Sequence, residues 1–144
     1  MIEIISGITT ALVVIILIPL LSKHISARLI AATILCSMAF IYVGFSLKDN
    51  TVSSVVLEVL MAVAFYCIAI IGYSKNNYLI AIGIALHGTW DLFHHNGLLV
   101  KTDIPDYWPL YCSVTDFVWG AYFFLVFKRQ KKQNKLNPVL KLEL

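Results

Sequence analysis

Five apolar runs separated by short polar breaks organise this chain. They cover about Ile2–Leu21, Ala27–Leu47, Val52–Tyr73, Tyr78–His95 and Pro109–Phe127, each 18 to 22 residues long. Roughly 20 apolar residues, rising 1.5 Å each in a helix, cross a hydrocarbon core of about 30 Å. The pattern predicts an all-α membrane protein, a bundle of five transmembrane helices forming one domain over residues 1–127, with a tail over residues 128–144. Trp108-Pro109 suits the start of the fifth helix, where a missing N–H costs nothing. Asn96-Gly97 suits the C-cap of the fourth, leaving Leu98–Val100 as an interfacial connection. The first run is not expected to be a cleavable signal peptide. It carries Glu3 instead of a basic n-region, its apolar stretch is long, and no small-residue cleavage site follows.

Composition agrees with that class. The chain is 60% hydrophobic and 13% charged, with a mean hydropathy of +0.84, far from the quarter-charged composition of soluble domains. Basic residues then orient it. Nine of the eleven Lys and Arg (Lys23, Arg28, Lys75, Lys128, Arg129, Lys131, Lys132, Lys135 and Lys141) fall in or beside the segments on one side, and only Lys48 and Lys101 do not. By the positive-inside rule the N-terminus is outside and the C-terminus cytoplasmic, in a multi-pass protein of the plasma or inner membrane. Glu3, Asp49, Asp103 and Asp106 fall on the outer side. The net charge of +3 is thus topogenic, and no nucleic-acid partner is expected. The basic tail, Lys128–Lys135 above all, is expected to meet anionic lipid headgroups at about 1 kcal/mol per residue. His24 lies in a cytoplasmic loop without evident chemistry. Cys36, Cys67 and Cys112 sit on three different spans with no C-x-x-C, so neither a disulfide framework nor a thiol redox motif is expected.

One stretch breaks the apolar pattern. The segment His87-Gly-Thr-Trp-Asp-Leu-Phe-His-His95 places three histidines and an aspartate in a transmembrane run. Ionisable groups at such depth are costly and mark functional sites. At 100° per residue, His87, Asp91 and His94 share an arc of about 60°, and His95 lies about 40° further round. Ala81, Ala85 and Gly88 form an adjacent stripe of small residues that allows close helix approach. Depth groups further residues with them. Asp116 lies on the order of 10 Å below the outer start of its helix, and His87 roughly 12 Å below the outer end of its own. Glu58 is about two turns into the third run, and Tyr42 and Ser46 are in the outer third of the second. The inner half is Ile, Leu, Val, Ala and Phe. The expectation is a polar pocket opening outward above an apolar floor.

These residues also carry a family resemblance. The segments A-F-I-Y-V-G-F-S-L, H-G-T-W-D-L-F-H-H and I-P-D-Y-W-P-L-Y-C-S-V-T-D-F, with Glu58 between the first two, resemble a family of small, uncharacterised bacterial integral membrane proteins. That family is built on H-x-x-W-D-x-x-H followed by a P-L-x-C-x-x-x-D segment. The resemblance runs from about Ala39 to Tyr122. It implies that Glu58, His87, Trp90, Asp91, His94, Pro109, Cys112 and Asp116 form one site, and it implies no activity.

Three functions remain open on the residues alone. In the first, His87, Asp91, His94, His95 and Asp116 hold a divalent metal, because His and Asp one turn apart on a helix can chelate one ion. The mixed N/O donors suit Zn²⁺, or Fe or Mn. Metal-activated water with Glu58 or Asp116 as catalytic base could then hydrolyse a lipid or amphiphile. In the second, Glu58, His87, Asp91 and Asp116 relay protons or ions; five spans without an inverted repeat would need a homo-oligomer to supply a transporter's symmetry. In the third, the cluster is a structural polar core that fixes helix register. Tyr42, Ser46, Thr89, Tyr111, Trp90, Trp108 and Trp119 suit that third role, or the aromatic belt.

Overall fold

The computed structural model describes residues 1–48, 51–97, 100 and 102–136, and among them every regular element is helical. The expectations for Asp49, Lys101, Leu98, Leu99, Lys141 and the end 137–144 lie outside the described residues, as do those for the side chains of Asn96 and Lys135. The helices are α1 (Ile2–Leu21), α2 (Ala27–Ala39), α3 (Ile41–Ser46), α4 (Val52–Lys75), α5 (Asn77–His94) and α6 (Trp108–Leu136), with a 3₁₀ turn at His95–Gly97. Ser26 caps α2 by accepting the Leu29 N–H at 3.2 Å, and Asn76 caps α5 by accepting the Tyr78 N–H at 3.2 Å. Gly97, at φ 63°, ends the turn after α5 in the left-handed conformation that glycine adopts without strain.

Four helical stretches are long and apolar enough to cross a membrane: Ile2–Leu21, Ala27–Ser46, Val52–Lys75 and Trp108–Asn134. The second contains α2 and α3, interrupted at Phe40, with neither proline nor glycine at the break. The fourth predicted run, α5, is not among them, because His87, Asp91, His94 and Asn77 lower its hydropathy. Packing compensates for that polarity. α5 lies against α6, α4 and α2, so its polar face meets protein, while α1 packs on α6 and α2 on α4. Outward-facing Leu12, Ile16, Leu60 and Leu125 are about half exposed or more, an apolar surface that a bilayer would cover.

Small residues set the closest approaches. A Cβ on Gly88 would stand 3.0 Å from Asp116 Cβ and 3.1 Å from the Ser113 carbonyl, and one on Gly120 would stand 3.2 Å from Ala85 Cβ. The predicted stripe of Ala81, Ala85 and Gly88 is therefore where α5 meets α6. α1 is joined to α6 by polar contacts: Thr115 Oγ1 donates to the Gly7 carbonyl at 3.2 Å, and Trp119 Nε1–H to the Ala11 carbonyl at 3.3 Å. The apolar core contains Ile18, Leu35, Phe65, Ile80, Ile84, Phe123 and Phe127. It fills the end of the bundle toward Lys23, Lys75 and Lys128. α6 continues past Phe127 to Leu136, so part of the predicted tail is helical; its Lys, Arg and Gln are strong helix formers and need no apolar face to propagate a helix already begun.

Candidate functional site

Above the apolar core, the ends of α3, α4, α5 and α6 bring together the buried ionisable groups. Glu58 is 1% exposed, His87 2%, Asp91 0%, His94 3% and Asp116 3%. The side chains are thus enclosed rather than lining an open cleft. They divide into two groups.

The first is His87, Asp91 and Asp116, whose potential ligand atoms all lie within 4.8 Å of one another. His87 and Asp91 are one turn apart on α5, and Gly88 lets α6 bring Asp116 alongside. His87 Nδ1–H donates to Asp116 Oδ2 at 2.7 Å, and the same nitrogen is 3.6 Å from Asp91 Oδ1, too far for a hydrogen bond. Among the described residues, neither Asp91 oxygen has a hydrogen-bond partner, and nor do His87 Nε2 and the Tyr42 hydroxyl. The Tyr42 hydroxyl is within electrostatic reach of Asp91, Cys112 and Asp116 without forming a well-aligned bond to any of them. Asp91 thus has His87 at 3.6 Å but no aligned donor among the described residues. A buried polar group without hydrogen bonds costs about 1–3 kcal/mol.

The second group is His94 and Glu58, joined between α5 and α4. His94 Nε2–H donates to Glu58 Oε1 at 2.7 Å, and His94 Nδ1–H to the Trp90 carbonyl at 3.0 Å. Both ring nitrogens face oxygen acceptors, which fixes the ring's orientation. Glu58 accepts two further bonds, from Thr102 Oγ1 at 2.8 Å and from Trp90 Nε1–H at 3.4 Å. Unlike Asp91, Glu58 is fully partnered. The Tyr42 ring connects the groups: its centroid stacks 4.3 Å from that of His94 and lies 6.0 Å from that of His87. Phe65 closes the floor with its ring edge-on to His87 at 5.0 Å.

Of the predicted metal ligands, His87, Asp91 and Asp116 come together. His94 uses both nitrogens elsewhere, and His95 stands on the 3₁₀ turn within electrostatic reach of Glu3. Cys112 is half-buried and faces the Asp91 and Asp116 charges. Sequence reasoning placed Tyr42 among the structural polars, and nothing in a loop pattern singled out Thr102. The depth of Tyr42, shared with His87, was the available signal.

Membrane-length apolar helices around a buried His/Asp cluster define the class of the molecule. The chain belongs to the DUF6010 family, a family of unknown function, whose model matches residues 2–129. No curated protein and no solved structure matches it.

Proposed function

We propose that this is a multi-pass protein of the plasma or inner membrane, N-terminus outside, that holds a divalent transition metal between His87, Asp91 and Asp116. The observation that carries the reading is Asp91: wholly buried, with neither oxygen hydrogen-bonded among the described residues, beside a second carboxylate and a histidine 3.6 Å away. A divalent cation would neutralise two carboxylates at once. Donors about 2.1 Å from an ion stand about 3.0 Å apart in octahedral and about 3.4 Å in tetrahedral sites. The distances of 2.7 and 3.6 Å from His87 Nδ1 to the two carboxylates bracket those values. Two carboxylates with one imidazole favour Mn²⁺ or Fe²⁺, with Zn²⁺ as the competitor.

The same reading gives the Glu58–His94 pair a role. Bound metal would acidify a water. Hydrolysis then requires a group that takes that water's proton and returns one to the leaving group. A histidine–carboxylate pair one aromatic ring away can hold the proton in both states. An apolar groove of about 260 Å³ on the lipid-facing side of α4 and α5, lined by Met61, Phe65, Leu86 and Trp90 among others, has as its back wall the two rings that abut His87 and Glu58. It fits an acyl chain, so the substrate class is a lipid or other single-chain amphiphile approaching from the bilayer. Reconstituted with Mn²⁺ in mixed-lipid vesicles containing H₂¹⁸O, wild type should release a labelled hydrolysis product that Glu58→Gln does not. Metal-loaded protein that leaves every lipid class intact would refute the hydrolytic role. The two hydrogen-bonded histidine–carboxylate pairs, His87–Asp116 and His94–Glu58, support a second reading, a proton or ion relay among Glu58, His87, Asp91 and Asp116. It predicts metal-independent proton flux into vesicles, abolished in His87→Ala.

A further inference from the structure

At the opposite end of the bundle, four helices line an open hydrophilic pocket of about 590 Å³. Arg28 comes from the first turn of α2, Lys75 from the end of α4, and Lys131 from the part of α6 that runs beyond its apolar stretch. Asn77, Gln130 and Asn134 add amides to the wall. Two of the cations are set by aromatic rings: the Arg28 guanidinium carbon is 4.7 Å from the Tyr73 ring centroid, and Lys131 Nζ is 5.6 Å from that of Tyr78. Such contacts hold a cation in place without neutralising it. The N-terminus of α5, an 18-residue helix, opens into the same pocket and adds its own positive partial charge.

Among the described residues, no carboxylate lines this pocket. Glu3, Glu58, Asp91, Asp103, Asp106 and Asp116 all belong to the other end of the chain's spans, and among the described residues Arg28, Lys75 and Lys131 take part in no ion pair. Tyr73 and Tyr78, close to helix ends, place the pocket at the depth where amphipathic aromatics meet headgroups. Three cations, two of them seated on aromatic rings, with side-chain amides and a helix N-terminus at that depth, are the chemistry of a phosphate receptor. We infer that the pocket formed by Arg28, Lys75 and Lys131 binds the phosphate of an anionic phospholipid headgroup as a discrete site, distinct from diffuse attraction of the basic tail. The inference is independent of the metal reading, since the two sites lie at opposite ends of the bundle and share no residue.

Native mass spectrometry of the full chain, released from detergent after exchange into phosphatidylglycerol or phosphatidylcholine, tests it. Wild type should retain one phosphatidylglycerol in preference to phosphatidylcholine. The double variant Arg28→Gln/Lys131→Gln should weaken that retention roughly thirtyfold, for two lost basic contacts. Lys23→Gln, which changes charge at the same end outside both the pocket and the tail, should leave retention unchanged. An equal loss in pocket and control variants would reduce the effect to diffuse headgroup attraction and overturn the site. Retention of glycerol phosphate with no lipid preference would assign the pocket to a soluble phosphate ester and overturn the lipid assignment. The variants lie at the exposed end of the fold, and an unchanged elution volume shows that they still fold.

Discussion

Asp91→Asn separates a metal site from a structural polar core by the sign of its effect. The substitution replaces one carboxylate oxygen with an amide of the same shape. In a satisfied core, losing a hydrogen-bonded carboxylate costs about 1–3 kcal/mol. Among the described residues neither Asp91 oxygen accepts a hydrogen bond, and its contact with His87 is a long 3.6 Å; a buried polar group without hydrogen bonds costs about 1–3 kcal/mol. Metal-free Asp91→Asn should therefore be at least as stable as metal-free wild type. Metal reverses the order. A ligand at 100 times its Kd adds about 2.7 kcal/mol to the folded state. At about 3 °C per kcal/mol for a chain of this size, wild type should gain about 8 °C in Tm. The variant, with a neutral amide in place of a ligand, should gain less than about a quarter of that. Intrinsic fluorescence of Trp90, Trp108 and Trp119 during heating in detergent, after chelation and then with excess Mn²⁺, Fe²⁺ or Zn²⁺, reads both quantities. A metal-free Asp91→Asn protein that melts about 3–9 °C below wild type, with no metal response in wild type, would refute the reasoning and leave a structural core.

Three further outcomes are expected. Gly88→Val should push α6 away from α5, because the first added carbon already meets Asp116 Cβ at 3.0 Å; the expected cost is about 1–3 kcal/mol in thermal unfolding, with metal affinity reduced at least about tenfold. Unchanged metal affinity would mean that this contact does not position Asp116. Glu58→Gln should keep the metal, since Glu58 lies outside the triad, while losing turnover; loss of metal from this variant would place Glu58 among the ligands. A C-terminal alkaline phosphatase fusion should be inactive and the matching fluorescent-protein fusion bright, as the positive-inside rule predicts from nine of eleven basic residues falling on one side; the reverse result would invert the topology.

Much of the fold was legible because helices long and apolar enough to cross a bilayer stand out by length and hydropathy, and ionisable residues within such runs are conspicuous. His87, Asp91, Asp116 and Glu58 stood out for that reason, and shared depth indicated one end of the bundle. Periodicity could not show which neighbour each ring meets. His87 and His94 share a face of α5, yet one turns to α6 and Asp116 while the other turns to α4 and Glu58. That choice is made by helix packing, with Gly88 admitting α6. Tyr42 was hidden because an aromatic residue near a helix end fits the interfacial belt equally well. Thr102 was hidden because hydrogen bonds from a connecting segment have no periodic signature. Hydropathy alone also undervalues α5, whose site residues make it too polar to stand among lipids without its neighbours.

The central claim is a divalent ion held by His87, Asp91 and Asp116, and the metal content of the purified protein tests it most directly. Elemental analysis of detergent-purified wild type, beside His87→Ala and Asp116→Asn prepared identically, should find about one Mn, Fe or Zn per wild-type chain and at most about a tenth of that in either variant, the loss expected when a ligand is removed. Wild-type protein that is metal-free as purified, and remains so after incubation with each ion and desalting, would contradict the account.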